Sequence, residues 1–268
     1  MNFITLNYWD LALASLLLLV SGAMTLYLRL GLGRQLAVAA VRMVVQLTLV
    51  GLVLKTLFAL VSPLWTAFAA MVMIGFAGYE VVARQKRKFT GAWTYGVGTV
   101  SLAAAATLVT ALALTTQVRP DPWFDPRYAL PLLGMILGNT MNGVSIGLDR
   151  LLASAVRERA AIEARLALGH DRDRAFRPFV REATRAGLIS IINGMSAAGL
   201  VSLPGMMTGQ ILAGIAPVEA VKYQILIMFL IAGSTSIGVL IAVFAAVARL
   251  SDNRHRLRLD RLRGVAEG

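Results

Sequence analysis

The sequence predicts an all-α, polytopic membrane protein of about seven transmembrane helices, and three observations carry that expectation. Hydrophobic residues make up 57% of the 268 and charged residues only 15%, where a soluble domain carries about 25% charged residues. Apolar runs of about 20 residues recur along the chain, the length a helix needs to cross the hydrocarbon core of a bilayer. Finally, 26 basic residues against 14 acidic ones concentrate at alternate junctions between these runs. In a soluble chain a net charge of +12 would point to nucleic acid. Here the retention of Lys and Arg in cytoplasmic loops accounts for it, and no nucleic-acid partner is expected.

The spans follow in order. The first, roughly 10–29, comes after MNFITLNYWD, which lacks the positive n-region of a cleaved signal peptide, so this run is expected to remain in the mature protein. The second, roughly 36–54, holds Arg42 and Gln46 one turn apart on one face. Arg42 either snorkels to the headgroups or faces the bundle interior, where Asp149 or Glu80 would pair with it. The third covers roughly 63–83. The fourth, roughly 92–114, contains SLAAAATLVTALAL, whose small residues permit close helix contact. The fifth is roughly 129–149, the sixth roughly 186–203, ending at Pro204, and the seventh roughly 221–248. The segment 204–217 is too polar and glycine-rich for a span and reads as re-entrant or interfacial.

Charge sets the expected orientation. Alternate junctions hold Arg29 and Arg34, then four basic residues over 84–88, then nine arginines over 150–185, and six more in 249–263. The opposite side holds only Lys55, Arg119, Arg127 and Lys222. This places the N-terminus outside and the C-terminus in the cytoplasm.

What the chain lacks restricts its chemistry. No G-x-x-x-x-G-K-[ST] occurs, and none of the four lysines follows a glycine, so no Walker A loop cradles nucleotide phosphates. There is no cysteine, hence no disulfide and no thiolate metal site. The two histidines, His170 and His255, fall in expected cytoplasmic segments. Asp10, Glu80, Asp149 and Glu219 lie at span ends, leaving no mid-membrane carboxylate for proton coupling. Energy is therefore expected from elsewhere, and the chain is not read as an enzyme.

The polar block from Arg150 to Arg185 interrupts this apolar pattern. Within it, Leu151 to Leu168 favours a helix with Leu151, Leu152, Ala155, Val156, Ile162, Leu166 and Ala167 as an apolar stripe. Gly169 would cap that helix. By itself the segment fits an amphipathic connector on anionic lipid equally well. Glu163, Ala164 and Gly169, set before the sixth span, resemble the coupling loop of ABC importer-type permeases, with Arg165 where that loop has its second alanine. PLLGMILGNTMNGVSIGLDRL (131–151) and INGMSAAGLVSLPGMMTGQILAG (192–214) extend the resemblance. Together they resemble the FetB-type family of iron-export ABC permeases, which also includes plant membrane subunits linked to aluminium tolerance.

The resemblance implies a single permease domain over 1–268 with a coupling segment at about 150–185, in the inner (plasma) membrane. It implies a second copy of the chain and two copies of a separate ATPase subunit. ATP and magnesium would be held there, with no cofactor on this chain. The cargo it implies is iron or another metal cation moved outward. An organic cargo such as a nucleotide sugar, an ATPase-independent metal channel or transporter, and a non-transporting scaffold are the alternatives.

Two groups of residues are candidates for the cargo path. In the fifth span Asn139, Asn142 and Ser145 share roughly one face among Gly134, Gly138, Gly143 and Gly147. Buried amides in lipid cost several kcal/mol unless hydrogen-bonded, so this face points inward, either bonding to other helices or walling a polar cavity. Gly134 and Gly138 form a G-x-x-x-G pair that allows close backbone approach. In and after the sixth span Asn193 precedes the Pro204–Gly205 break, beside which lie Met206, Met207 and Gln210. The methionines serve either as flexible packing or as path residues. Their thioethers suit monovalent copper better than iron, and the sequence offers no metal-ligand constellation.

Overall fold

The computed structural model describes residues 7–263, and within them every regular element is helical. Nine α-helices follow one another: α1 (Tyr8–Tyr27), α2 (Gly33–Leu60), α3 (Pro63–Arg84), α4 (Trp93–Leu112), α5 (Pro126–Arg157), α6 (Arg159–Ala167), α7 (Arg172–Ala197), α8 (Gly205–Leu212) and α9 (Pro217–Leu250). A π-helical turn, Ala113–Val118, extends α4. Asp125 caps α5 by accepting from the Arg127 N–H at 2.9 Å, ahead of Pro126 in its first turn. Asp171 caps α7 in the same way through the Arg174 N–H at 2.8 Å. Each carboxylate satisfies a donor that the helix itself leaves open.

Six described helices are long and apolar enough to cross a membrane: α1, α2, α3, α4 with its π-helical extension, α5 and α9. The expected sixth span at 186–203 is instead the C-terminal part of α7 and the turn after it. Its 26 residues would reach about 39 Å, but the helix begins in the arginine block and becomes apolar only past Arg185. The segment after Pro204 contains the eight-residue α8.

The described chain divides into two compact units. One comprises α1 and α2 with residues 212–214, and the other residues 62–211 and 215–263. In α1 and α2 the large side chains, Leu17, Leu19, Val41 and Leu47 among them, are exposed. Lipid accepts such a surface at no cost, since its tails are as apolar as leucine.

The second unit has a core, with α9 packed on α4, α5 and α7. Contact there depends on small residues. Ala105 and Ala106 on α4 are fully buried, and a Cβ built on Gly238 of α9 would lie 2.6 Å from Thr140 Cγ2. Thr140 of α5 and Ser234 of α9 share a buried hydrogen bond of 2.9 Å between their hydroxyls.

Helices α5 and α7 run antiparallel at closer range still. A Cβ on Gly143 would meet the Gly187 carbonyl oxygen at 2.9 Å, and one on Gly187 would meet the Gly143 oxygen at 2.8 Å. The close approach therefore uses Gly143 and, one turn on, Gly147, which lies across from Ala183. Gly138 has nothing within 4 Å, and Gly134 meets only the end of Met73. The expected Gly134–Gly138 contact is thus displaced by about two and a half turns, to where small residues stand on both helices.

At one end of this unit three basic segments come together. The Lys86 N–H donates to Asp149 at 3.2 Å. Thr90 donates its N–H to the Arg261 carbonyl, and Arg263 donates to that of Lys88, both at 2.8 Å. The Arg172 N–H reaches His255 Nδ1 at 3.2 Å. Phe89, Leu259 and Leu262 are buried beneath this strap. Residues 84–88, the 150–185 block and the tail thereby form one basic surface.

Candidate functional site: a polar cleft beside the linker helix

Helix α6 departs from the expected single helix over 151–168. Leu151, Leu152 and Ala155 are buried as the last turns of α5. The chain then turns at Glu158 (φ −103°, ψ 25°), and α6 begins. The reason is visible in the spacing. A continuous stripe after Val156 would turn residue 159 or 160 to the core, one turn on, but Arg159 is charged, Ala160 offers only a methyl group, and both are exposed. Only by turning can Ile162 reach the core, where it is fully buried. Arg165 then ties α6 to α7, donating to the Ala175 carbonyl at 3.2 Å and lying 5.6 Å over the Phe179 ring.

The C-terminus of α6 meets the expectation for Gly169, which has φ +86°. His170 N–H donates to the Arg165 carbonyl at 3.2 Å and Gly169 N–H to that of Leu166 at 3.0 Å. This is the Schellman pattern, and a side chain at that φ would be strained. Glu163 pairs with Arg159 at 2.9 Å on the exposed face. Ala164, Ala167 and Leu168 are exposed beside it.

The same two helices that carry α6 wall an open cleft of about 570 Å³. Asn142, Ser145, Asp149 and Arg150 line it from α5, Glu182 and Arg185 from α7, and Arg84 from α3. The Ser145 hydroxyl donates to the Met141 carbonyl at 2.7 Å. Arg150 and Glu182 form an ion pair across the cleft, with Arg150 Nε 2.9 Å from the carboxylate. Arg84 lies 3.8 Å from Glu80.

The candidate path residues are divided between several places. Asn142 and Ser145 line the cleft. Asn139 is exposed one turn away, its amide donating to the Met135 carbonyl at 2.9 Å. Asn193 is exposed on α7, two turns beyond Arg185. Met206 lines a separate cavity of about 90 Å³ with Tyr128, Met135 and Tyr223. Met207 is buried, and the Gln210 side-chain oxygen is buried without a hydrogen bond. Of the four inner-side residues, Asp149 lines the cleft and Glu80 faces Arg84. Arg42 and Gln46 are exposed on α2. No group of three or more His, Asp or Glu side chains placed to hold a metal occurs among the described residues.

Arg84, Arg150 and Arg185 were counted in the sequence only as topological charge, and Glu182 was not singled out at all. For Glu182 and Arg185 the signal is the continuity of α7. Once 172–197 is one helix, Glu182, Arg185 and Ile189 share a face that continues to Asn193.

Residues 8–250 match the family described as Uncharacterised protein family (UPF0014). A UPF0014 membrane protein of Synechocystis is 40% identical over 85% of this chain and 86% of its own. The Probable iron export permease protein FetB of Escherichia coli is 30% identical over 98% and 99%. Protein ALUMINUM SENSITIVE 3 of Arabidopsis thaliana is 30% identical over 73% and 70%. No solved structure matches the chain significantly.

Proposed function

The chain belongs to the UPF0014 family of multi-pass membrane proteins, and on that premise we propose that it is the permease subunit of an ABC transporter exporting iron or another metal cation. Two copies of this chain in the plasma (inner) membrane would form the pathway, and two copies of a separate subunit would hydrolyse ATP with magnesium. The similarity to the E. coli permease over nearly the full length of both chains supports the cargo and direction. One structural observation carries the mechanism: α6 is fixed to the very helices, α5 and α7, that wall the polar cleft.

In this reading a partner ATPase grips the exposed face of α6 at Glu163, Ala164 and Leu168. Movement of α6 passes to α7 through Arg165 and the buried Ile162, because a close-packed contact transmits displacement rather than absorbing it. The α5–α7 pair, held backbone to backbone at Gly143 and Gly187, then moves as one wall of the pathway. Asn142 and Ser145 present polar groups to the cargo, which enters on the side of the basic surface.

The test is flux of iron in sealed vesicles that contain the permease and its ATPase. Asn142→Leu should abolish cargo-stimulated ATP hydrolysis and flux while the assembly still purifies intact. Glu163→Arg should leave hydrolysis running without flux. Normal flux in both variants would remove the cleft and α6 from the mechanism. Orientation is checked separately: an impermeant thiol reagent should label Asp121→Cys from outside intact cells and leave Asn253→Cys untouched.

A further inference from the structure

We infer that the cargo enters the cleft as an anion, a molecule or metal complex bearing carboxylate or phosphate groups, and not as a bare metal cation. The inference rests on the proposal that the cleft is the cargo's entry. Three guanidinium groups line it, from Arg84, Arg150 and Arg185, against the carboxylates of Asp149 and Glu182. Both carboxylates are engaged already, Glu182 by Arg150 and Asp149 by the Lys86 N–H. Arg84 in turn faces Glu80 at 3.8 Å and Arg150 is held by Glu182, so the guanidinium left without a carboxylate partner is that of Arg185, and the lining side chains carry one more positive charge than negative.

Arg185 is moreover the innermost of a row. Arg174, Arg177, Arg181 and Arg185 recur on α7 at intervals of three and four residues, so they climb one side of the helix, and all four are exposed. None has a carboxylate within 4 Å among the described residues. Four like charges leading from the α6 end into a cleft with low-dielectric walls concentrate anions there and repel cations. Guanidinium is also the group whose fork of N–H donors fits a carboxylate or phosphate with two bonds at once. Towards the apolar part of the cleft stands Asn142, whose amide has no hydrogen-bond partner among the described residues and is available to a ligand. A volume of about 570 Å³ lies in the range that holds a small organic molecule.

Two sources supply such an anion, a soluble cargo and a phospholipid headgroup, and we commit to the cargo. The permease would be reconstituted with its ATPase in phosphatidylcholine vesicles. Binding of pyrophosphate, citrate, ferric citrate and ferrous ion alone would be measured by equilibrium dialysis. Pyrophosphate or citrate, free or holding iron, should bind. Affinity should fall about tenfold in Arg185→Gln and return to within about twofold in Arg185→Lys, which retains the charge. Ferrous ion alone should bind at least tenfold more weakly than ferric citrate.

Tight binding of ferrous ion with none of the anions would overturn the inference. So would anion binding that vanishes when phosphatidylglycerol is added, which marks a headgroup site. Unchanged anion binding in Arg185→Gln with a weakened hold on the ATPase would assign the row to subunit docking instead. ATP-driven flux in the same vesicles separates the two levels. Flux that ignores Arg185 defeats only the anion inference, whereas no flux of any cargo defeats the permease reading beneath it.

Discussion

The α1–α2 pair and the α5–α7 pair both contain glycines in long helices, and the two sets of glycines do opposite things. Gly22 of α1 and Gly51 of α2 have nothing within 4 Å of where a Cβ would stand. Gly143 and Gly187 have each other's backbone oxygens inside 3 Å. In the first pair a glycine is merely a missing side chain on an exposed surface. In the second it sets the distance between two helices, and with it the width of the cleft they wall. Glycine content by itself therefore says little about where a membrane helix is held; the partner opposite each glycine decides.

Substitution at these glycines is the most direct attack on that contrast. Gly187→Val should cost about 3 kcal/mol or more, at the top of the range for overpacking, because the obstruction is backbone that cannot rotate away. Gly51→Ala should cost nothing or stabilise slightly, since alanine favours helix by about 1 kcal/mol. Thermal unfolding of the two variants in detergent measures both, and equal effects would erase the distinction.

Hydroxyl groups sharpen the same comparison at a smaller scale. Thr140→Val strands the buried Ser234 hydroxyl and should cost about 1–2 kcal/mol, most of it recovered when Ser234→Ala is added. Thr48 of α2 bonds only its own helix, at the Val44 carbonyl, 2.9 Å away. Thr48→Val should therefore leave the melting temperature unchanged. Smaller again is Glu163→Ala, which breaks an exposed pair worth about 0.3–0.5 kcal/mol. Its melting temperature should barely move, so any loss of transport per ATP in that variant belongs to docking and not to folding.

The smallest effect expected is a pH response of the tail. The Asp252 carboxyl lies at about 2, below its ordinary 3.8, chiefly because it accepts the Arg256 N–H and also bonds the Arg256 side chain and the Arg254 N–H. A carboxyl lowered by folding contributes stability that is complete above its unfolded value and is lost as pH falls through the folded one. Hydrogen exchange at Arg254 and Arg256, corrected for its intrinsic pH dependence, should show constant protection from pH 5 to 8. Protection should weaken only below about pH 4, and Asp252→Asn should remove it throughout.

The sequence by itself determined that the chain is helical and lies in a membrane, because crossing lipid is a matter of length and composition that each segment satisfies alone. It also determined the left-handed cap at Gly169, since a helix end is a local contest among a few residues. The break at Glu158 was not legible, since the stripe over 151–168 reads as one helix and only the structure turns the chain there. Only the tertiary structure decided which glycines meet, that Asn142 and Arg185 share a cleft while Met206 belongs to another cavity, and that Glu182 answers Arg150 from 32 residues away. In lipid every apolar face of a helix is equally comfortable, so hydrophobic patterning does not say which face meets which neighbour. That choice is made by shape, and shape belongs to pairs of helices that no single segment encodes.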